Sequence, residues 1–282
     1  MTSLGLDIGG TRVKAAVLHE NGSAELLGKS QPYRRPDTQA LTTAVGEVVN
    51  GHRFDAVGLC CPGLLSFDRT TIEKSVNLPG LEGVPLTELI ERATGRPAGR
   101  LRIATDQVAA ATDFAFSHQL HGRLMAVSIG TGVGAAVLDI DNDHPLGQPL
   151  RVDGDSPGHF GQLDVTMSRN PPIGPDGGAG SLEAYIGALA LHGRKPQTLH
   201  AGHRSIRALV RALRIAHALY RPHTIALLGG IGSRLTHLRR EILAGVNDHL
   251  TNIARPDWAL VFGDDDHHAA RGVARLAAAS DP

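Results

Sequence analysis

The sequence predicts an α/β protein of two modest domains, and three observations carry that expectation. Strand-like and helix-like segments alternate along all 282 residues, a length that suits two domains of roughly 100–200 residues each. A strand, glycine turn, strand unit occurs near the start and again at residues 125–138. Gly and Pro, 34 and 16 residues, supply the many tight turns such a chain needs.

The elements follow in order. Apolar residues 4–8 and 13–18 read as two strands joined through Gly9 and Gly10, a hairpin. Helical periodicity covers 38–49, and an apolar strand at 57–61 is halted by Pro62-Gly63. Next come a helix at 86–93 and a strand at 101–104. Asp106 stands ahead of the helix-forming run 108–116, where a carboxylate can cap the first backbone N–H groups. The opening then repeats, with a strand at 125–129, a turn at Gly130-Thr131-Gly132 and a strand at 134–138. Residues 141–180 are rich in Gly, Pro and Asp and read as functional loops. Helices at 181–191, 206–220 and 235–250 alternate with strands at 224–228 and 258–262, and a last helix starts near His267. This order places the domain boundary near Asp106, with a first domain of 1–106, rejoined by the helix at 267–282, and a second of 107–266.

Composition narrows the partners. Lys plus Arg and Asp plus Glu both number 28, so no net field attracts a polyanion and no nucleic acid is expected. The apolar stretches are too short for a membrane span, and the N-terminus lacks the basic-then-apolar pattern of a signal peptide. A cytoplasmic protein with no membrane partner is expected. Cys60 and Cys61 are adjacent in a strand, so they point to opposite faces and read as small buried hydrophobes.

Chemistry gathers at the glycine turns. In the run Asp7-Ile8-Gly9-Gly10-Thr11-Arg12 the glycines admit close backbone approach, Thr11 can bond phosphate oxygens and Asp7 can orient a hydrated cation. An ordinary Gly-Gly hairpin turn is the competing reading. Gly130, Thr131 and Gly132 repeat the same logic, placing amides where they can converge on an anion. Gly229 and Gly230 end a buried strand and open a helix, where close packing could admit an adenine ring. There is no GxxxxGK run, and Ala135 occupies the last place of a GxGxxG spacing, which removes the P-loop and Rossmann readings.

DIGGTR at 7–12, CCPG at 60–63, SVNLPG at 75–80, Thr105-Asp106, SIGTGVG at 128–134, PGH at 157–159, GSLEAY at 180–185 and LLGGIG at 227–232 together resemble the ROK family of sugar kinases, within the superfamily of actin, hexokinases and heat-shock chaperones. The motifs fall in the family's order over nearly the whole chain. The resemblance implies a two-domain actin-like ATPase (ribonuclease H-like) fold around a central cleft. It also implies ATP and Mg²⁺ as cofactors, a small sugar or sugar-like molecule as substrate, and a homodimer.

Residue by residue, the resemblance makes Asp106 the general base. Nucleotide contacts fall to Asp7, Gly9, Gly10, Thr11, Arg12, Gly130, Thr131, Gly132, Gly229 and Gly230, with Asp7 holding Mg²⁺ through water. Sugar contacts fall to Gly63, Asn77, Thr105, Asp106, Ser156, His159 and Glu183. Two of these depart from the family pattern, which has Asn where Thr105 stands and Glu where Ser156 stands, so an altered hydroxyl preference is expected. Residues 160–182 hold no Cys and Ser181 occupies one ligand position, so no structural zinc is expected. Asp264 to Asp266 with His267 and His268 read as an acidic helix start, not as a metal site.

The expected activity is transfer of the γ-phosphoryl group of ATP to a hydroxyl, preferentially primary, of a hexose or a sugar-like polyol or cyclitol. A non-catalytic sugar-sensing protein and a kinase using polyphosphate as donor are the alternatives. Repressors of this family carry a DNA-binding domain ahead of the phosphate turn, and the six residues before Asp7 argue against that form.

Overall fold

A computed structural model describes residues 1–95, 97, 99–152, 156–175 and 177–279. The chain forms two compact units: one comprises Met1–Gln119 with a short return at Val152 and the C-terminal stretch from His267, the other Leu120–Arg151 with Ser156–Asp266.

In the first unit the strands are β1 (Ser3–Ile8), β2 (Val13–Leu18), β3 (Ala24–Lys29), β4 (Ala56–Cys61), the short pair β5 (Leu64–Leu65) and β6 (Ile72–Lys74), and β7 (Arg100–Thr105). The helices are α1 (Thr38–Val49), α2 (Leu86–Thr94), α3 (Asp106–Ser117) and the C-terminal α9 (His268–Ala278). The main sheet runs β3-β2-β1-β4-β7, with β1, β2 and β3 antiparallel and β1, β4 and β7 parallel. β3 was not anticipated, because it is an edge strand with mostly exposed residues and shows no apolar run.

Period-two alternation assigns the two faces of this sheet. Leu4, Leu6, Ile8, Val57, Leu59 and Cys61 point into a core shared with Leu41, Val45 and Val48 of α1 and Leu89 and Ile90 of α2. The opposite face carries Gly5 and Gly58, where a Cβ would lie 1.9 Å from the Ala270 carbonyl oxygen and 2.0 Å from that of Val273. Only glycines let α9 lie so close to the strands.

The second unit repeats the topology. Its strands are β8 (Gly122–Ile129), β9 (Val133–Ile140), β10 (Gln148–Pro149), β11 (Thr224–Leu228) and β12 (Ala259–Phe262), ordered β10-β9-β8-β11-β12. β8, β9 and β10 are antiparallel, and β8, β11 and β12 parallel. Its helices are α4 (Leu182–Ile186), α5 (Ala188–Leu191), α6 (Arg204–Tyr220), α7 (Gly229–Gly232) and α8 (Arg239–Asn247). The single helix expected at 181–191 is two, parted at Gly187, whose extended backbone (φ −60°, ψ 164°) interrupts the turn. The helix expected at 235–250 is likewise a 3₁₀ stretch, Ser233–Leu238, followed by α8. Long α6 buries Ile206, Leu209 and Leu213 against strand residues Met125, Val127, Ile225 and Leu227, as its amphipathic spacing requires.

Candidate active site

The first glycine turn is built by register. Ile8 pairs with Val13 and the Gly9 N–H donates to the Arg12 carbonyl at 3.0 Å, so the loop is the four residues Gly9 to Arg12 and not a two-residue Gly-Gly turn. Tyr33 fastens it from outside: its hydroxyl donates to the Gly9 carbonyl at 2.6 Å and its N–H to the Thr11 carbonyl at 2.9 Å. Burial, reinforced by the charge of Asp7, pushes the Tyr33 phenol up, so it stays a neutral donor. Nothing in the sequence marked Tyr33, whose partners are set by a loop of irregular backbone. Arg12 turns back, with Nη1 donating to the Ser30 carbonyl at 3.2 Å.

Asn77 meets this turn, since a Cβ on Gly10 would lie 3.0 Å from the Asn77 Cβ. Its loop is braced by Ser75, whose hydroxyl donates to the Pro62 carbonyl at 2.9 Å and accepts the Leu78 N–H at 3.1 Å. Gly63 has φ +128°, and a Cβ there would lie 2.5 Å from the Lys74 carbonyl oxygen. A glycine is required at that position.

Asp106 lies at the carboxyl end of β7, the same sheet edge as Asp7 and the glycine turn. Its expected capping role falls to its neighbour: Thr105 is extended (φ −72°, ψ 151°) and its hydroxyl accepts the Val108 N–H at 3.4 Å. Thr105 suits the post because its β-branched body completes β7 while its oxygen starts α3. Asp106 is therefore the first helical residue, half-buried, and its Oδ1 is enclosed without a hydrogen-bond partner among the described residues. Burial, then the negative charge of Asp7, raises its carboxyl to about 7, against the opposing pull of its own and the Gln107 backbone N–H and of Lys14. An acid that titrates near neutrality suits a group that must take up a proton.

Around Asp7 two contacts were not read from the sequence. Lys14 Nζ lies 3.3 Å from Asp7 Oδ2, and the Cys60 thiol faces Asp7 Oδ1 at 3.9 Å and the Ala269 carbonyl oxygen at 3.7 Å. Burial, with Asp7 and Asp106 adding to it, holds the Cys60 thiol well above its ordinary range. Cys60 and Cys61 are both buried and free.

In the second unit Gly130, Thr131 and Gly132 close a tight loop, the Gly130 N–H donating to the Gly132 carbonyl at 2.9 Å. Glu183 Oε2 accepts the Val133 N–H at 2.8 Å and would lie 2.8 Å from a Cβ on Gly132, so this carboxylate braces the loop directly. Gly229 approaches the same place. It has φ +77°, and a Cβ there would lie 2.6 Å from the Ile129 carbonyl oxygen. The ends of β8 and β11 thereby bring Gly130 to Gly132 and Gly229-Gly230 together.

Ser156 is engaged locally, its hydroxyl donating to the Gly158 carbonyl at 2.8 Å and accepting the Gly158 N–H at 3.1 Å. His159 is exposed and stands ahead of a 3₁₀ turn, Phe160–Gln162. Ser181 caps α4 by accepting the Ala184 N–H at 3.3 Å. Among the described residues no group of three His, Cys, Asp or Glu side chains is placed to hold a metal ion.

The paired sheets, each ending in a glycine loop, decide the assignment together with one comparison: the model of the ROK family matches residues 3–201. The chain belongs to the ROK family. Its fold is the actin-like ATPase fold of solved ROK structures. The ROK hexokinase of Thermus thermophilus superposes with a TM-score of 0.70 at 23% identity, covering 99% of this chain and 98% of that one. A ROK glucokinase of Streptomyces griseus, solved with glucose and AMPPNP, gives 0.74 at 20% identity with 99% of both chains covered. In sequence, a glucokinase of Streptomyces coelicolor is 29% identical over 197 residues, 67% of this chain and 57% of that protein. An N-acetylmannosamine kinase of Yersinia pseudotuberculosis is 30% identical over 138 residues, 48% of this ROK chain and 46% of that protein. The matches thus span about half the length of these curated relatives.

Proposed function

We propose that this ROK protein is a sugar kinase that transfers the γ-phosphoryl group of ATP to a hydroxyl, preferentially primary, of a hexose or a sugar-like polyol. The observation that carries the reading is Asp106, a carboxyl set near neutrality with Oδ1 enclosed and unbonded among the described residues, on the sheet edge that bears the phosphate turn. A base so placed takes the proton as a substrate hydroxyl attacks.

The loop amides of Gly9 to Thr11 are the groups for phosphate oxygens in the first unit, and those of Gly130 to Gly132 in the second. Gly229-Gly230, at the start of α7, offers a surface without side chains for the nucleoside. Asn77, held at the turn, is the best-positioned sugar ligand of the first unit.

The donor set fits Mg²⁺ at one remove. Asp7 is a hard oxygen ligand, but Lys14 and Cys60 already flank its two oxygens, so an outer-sphere contact through water is the one open to it. Bound with the nucleotide, Mg²⁺ supplies neutralisation of phosphoryl charge.

Relatives named glucokinase and N-acetylmannosamine kinase support the substrate class. Thr105, spent on capping α3, and Ser156, spent on Gly158, are reasons to look beyond glucose. The test is ADP release across hexoses, amino sugars and cyclitols, with mass spectrometry of the product. Sugar-dependent ADP formation that disappears in Asp106→Ala supports the reading. Saturable sugar binding without phosphorylated product replaces it with a sensing role, and turnover with polyphosphate but not ATP replaces the donor.

A further inference from the structure

Lys14 is the second residue of β2, just past the phosphate loop, opposite Asp7 in the antiparallel register. Opposed residues of an antiparallel pair project from the same face, and the Lys14 ammonium reaches Asp7 Oδ2 at 3.3 Å. Asp7 is also in register with Cys60 on β4, so one row of the sheet presents thiol, carboxylate and ammonium side by side. Below this row Gly5 and Gly58 seat α9, whose early residue Ala269 closes on Cys60. The row therefore occupies the last stretch of that face before the loop Gly9 to Arg12.

The charges in this corner need a cation. Asp7 and Asp106 are both carboxylates, and the charge of Asp7 works against ionising Asp106 while Lys14 works for it. Two carboxylates alone would repel the phosphates of an approaching nucleotide. The Lys14 side chain is 25% exposed and that of Asp7 is 9% exposed, so the ammonium is the member of the pair that solvent and ligands can reach. A lysine ammonium carries three N–H donors and can serve Asp7 and a ligand oxygen together. Asp7 is buried, so its pairing with Lys14 also keeps that carboxylate from standing uncompensated.

We propose that Lys14 is a fixed cation of the phosphate turn, steadying Asp7 and donating to the terminal phosphate oxygens of a bound nucleoside triphosphate. The proposal rests on the kinase reading and adds a nucleotide-contacting residue to it.

Calorimetric titration of the full chain with ATP and with AMP, in EDTA and in Mg²⁺, tests it, using Lys14→Met, Lys14→Arg and the control Lys29→Met. Lys29 is exposed and lies opposite Lys14 on β3. In EDTA, Lys14→Met is expected to weaken ATP binding by about tenfold or more, as for loss of a charge-assisted hydrogen bond. AMP, without terminal phosphates, should change by less than about twofold, the scale of a minor surface effect. Lys14→Arg should recover most of the ATP affinity, and Lys29→Met should match wild type. Wild-type ATP affinity in Lys14→Met, equal weakening of ATP and AMP, or an equal loss in Lys29→Met overturns the assignment of Lys14. A wild-type chain that binds neither nucleotide under either condition overturns the kinase reading itself, and the assignment with it.

Discussion

Gly272 of α9 rides directly over the Ala109 carbonyl of α3: a Cβ on the glycine would lie 1.7 Å from that oxygen. The two helices touch backbone to backbone, and α3 is the helix whose first residue is Asp106. Gly272→Ala must force α9 off α3, and overpacking of this kind costs about 1–3 kcal/mol. Urea unfolding should show the unfolding free energy lowered by that amount, read as a lower midpoint at unchanged m. A midpoint equal to wild type would show that the helices are not held at this distance.

Asp113, two turns beyond Asp106, anchors the same contact. It is wholly buried and accepts from His268 Nδ1 and Arg271 Nε at 2.8 Å and from Arg275 Nε at 2.9 Å. Burial alone would raise this carboxyl, but the His268 hydrogen bond and the Arg271 and Arg275 contacts outweigh it and hold it below its ordinary value. Asp113→Ala strands the two largely buried guanidinium groups of Arg271 and Arg275, and removing one partner of a buried ionic group costs roughly 3–5 kcal/mol. The sign of the pH effect follows from the lowered carboxyl. Its stabilisation is complete above the unfolded carboxyl pKa and is lost as pH falls through the lower folded value. Paired acid titrations by circular dichroism should therefore show the stability gap between wild type and Asp113→Asn closing as the solution becomes strongly acidic. A gap that stays constant through that range would remove the ionic account.

The legible parts of the fold were those written in local periodicity. Strands at residues 4–8, 13–18 and 57–61 alternate or run apolar because a buried sheet demands it, and the repeated glycine hairpin announced the repeated sheet. What could not be read depended on register and on distant partners. The Asp7 to Lys14 pair exists because a four-residue loop sets those two residues opposite each other. Asp113 and Gly272 look unremarkable in their helices, since their partners are far along the chain. Thr105 read as a polar replacement in a sugar site, while its use as the cap of α3 depended on the exact residue at which β7 ends. The glycines of the turns were visible as residue types, but which of them need positive φ, as Gly63 and Gly229 do, is a property of the folded backbone.

Gly130 offers a test of the second glycine loop that folding does not confound. Nothing lies within 4 Å of where its Cβ would stand, and its φ is not positive. Gly130→Ala should leave the thermal midpoint within about 1 °C of wild type, since it creates no clash. If the loop amides receive phosphate, the added methyl intrudes on that space and weakens ATP binding by about tenfold, the equivalent of one lost contact. Unchanged ATP affinity would move the nucleotide away from Gly130.

Asp106 joins activity and stability in one prediction. Its folded carboxyl is raised to about 7 from an ordinary 3.8, so the folded state favours the neutral form. Between those values the unfolded chain ionises freely and the folded one does not, so stability falls as pH rises from about 4 to about 7. Asp106→Asn cannot ionise and should melt higher than wild type at pH 8, with the difference vanishing near pH 4 and below. If Asp106 is the general base, activity runs the other way, because a base must be ionised to accept a proton. Wild-type kcat/KM should climb as pH rises to about 7 and then level. Asp106→Asn should lose about 10²–10⁴-fold in kcat, the range for removal of a general base. A variant that is both more stable at pH 8 and inactive is the signature of strain kept for function. Wild-type turnover by Asp106→Asn would sink the base assignment, while lost turnover without the stability gain would show that the carboxyl is ionised at neutral pH.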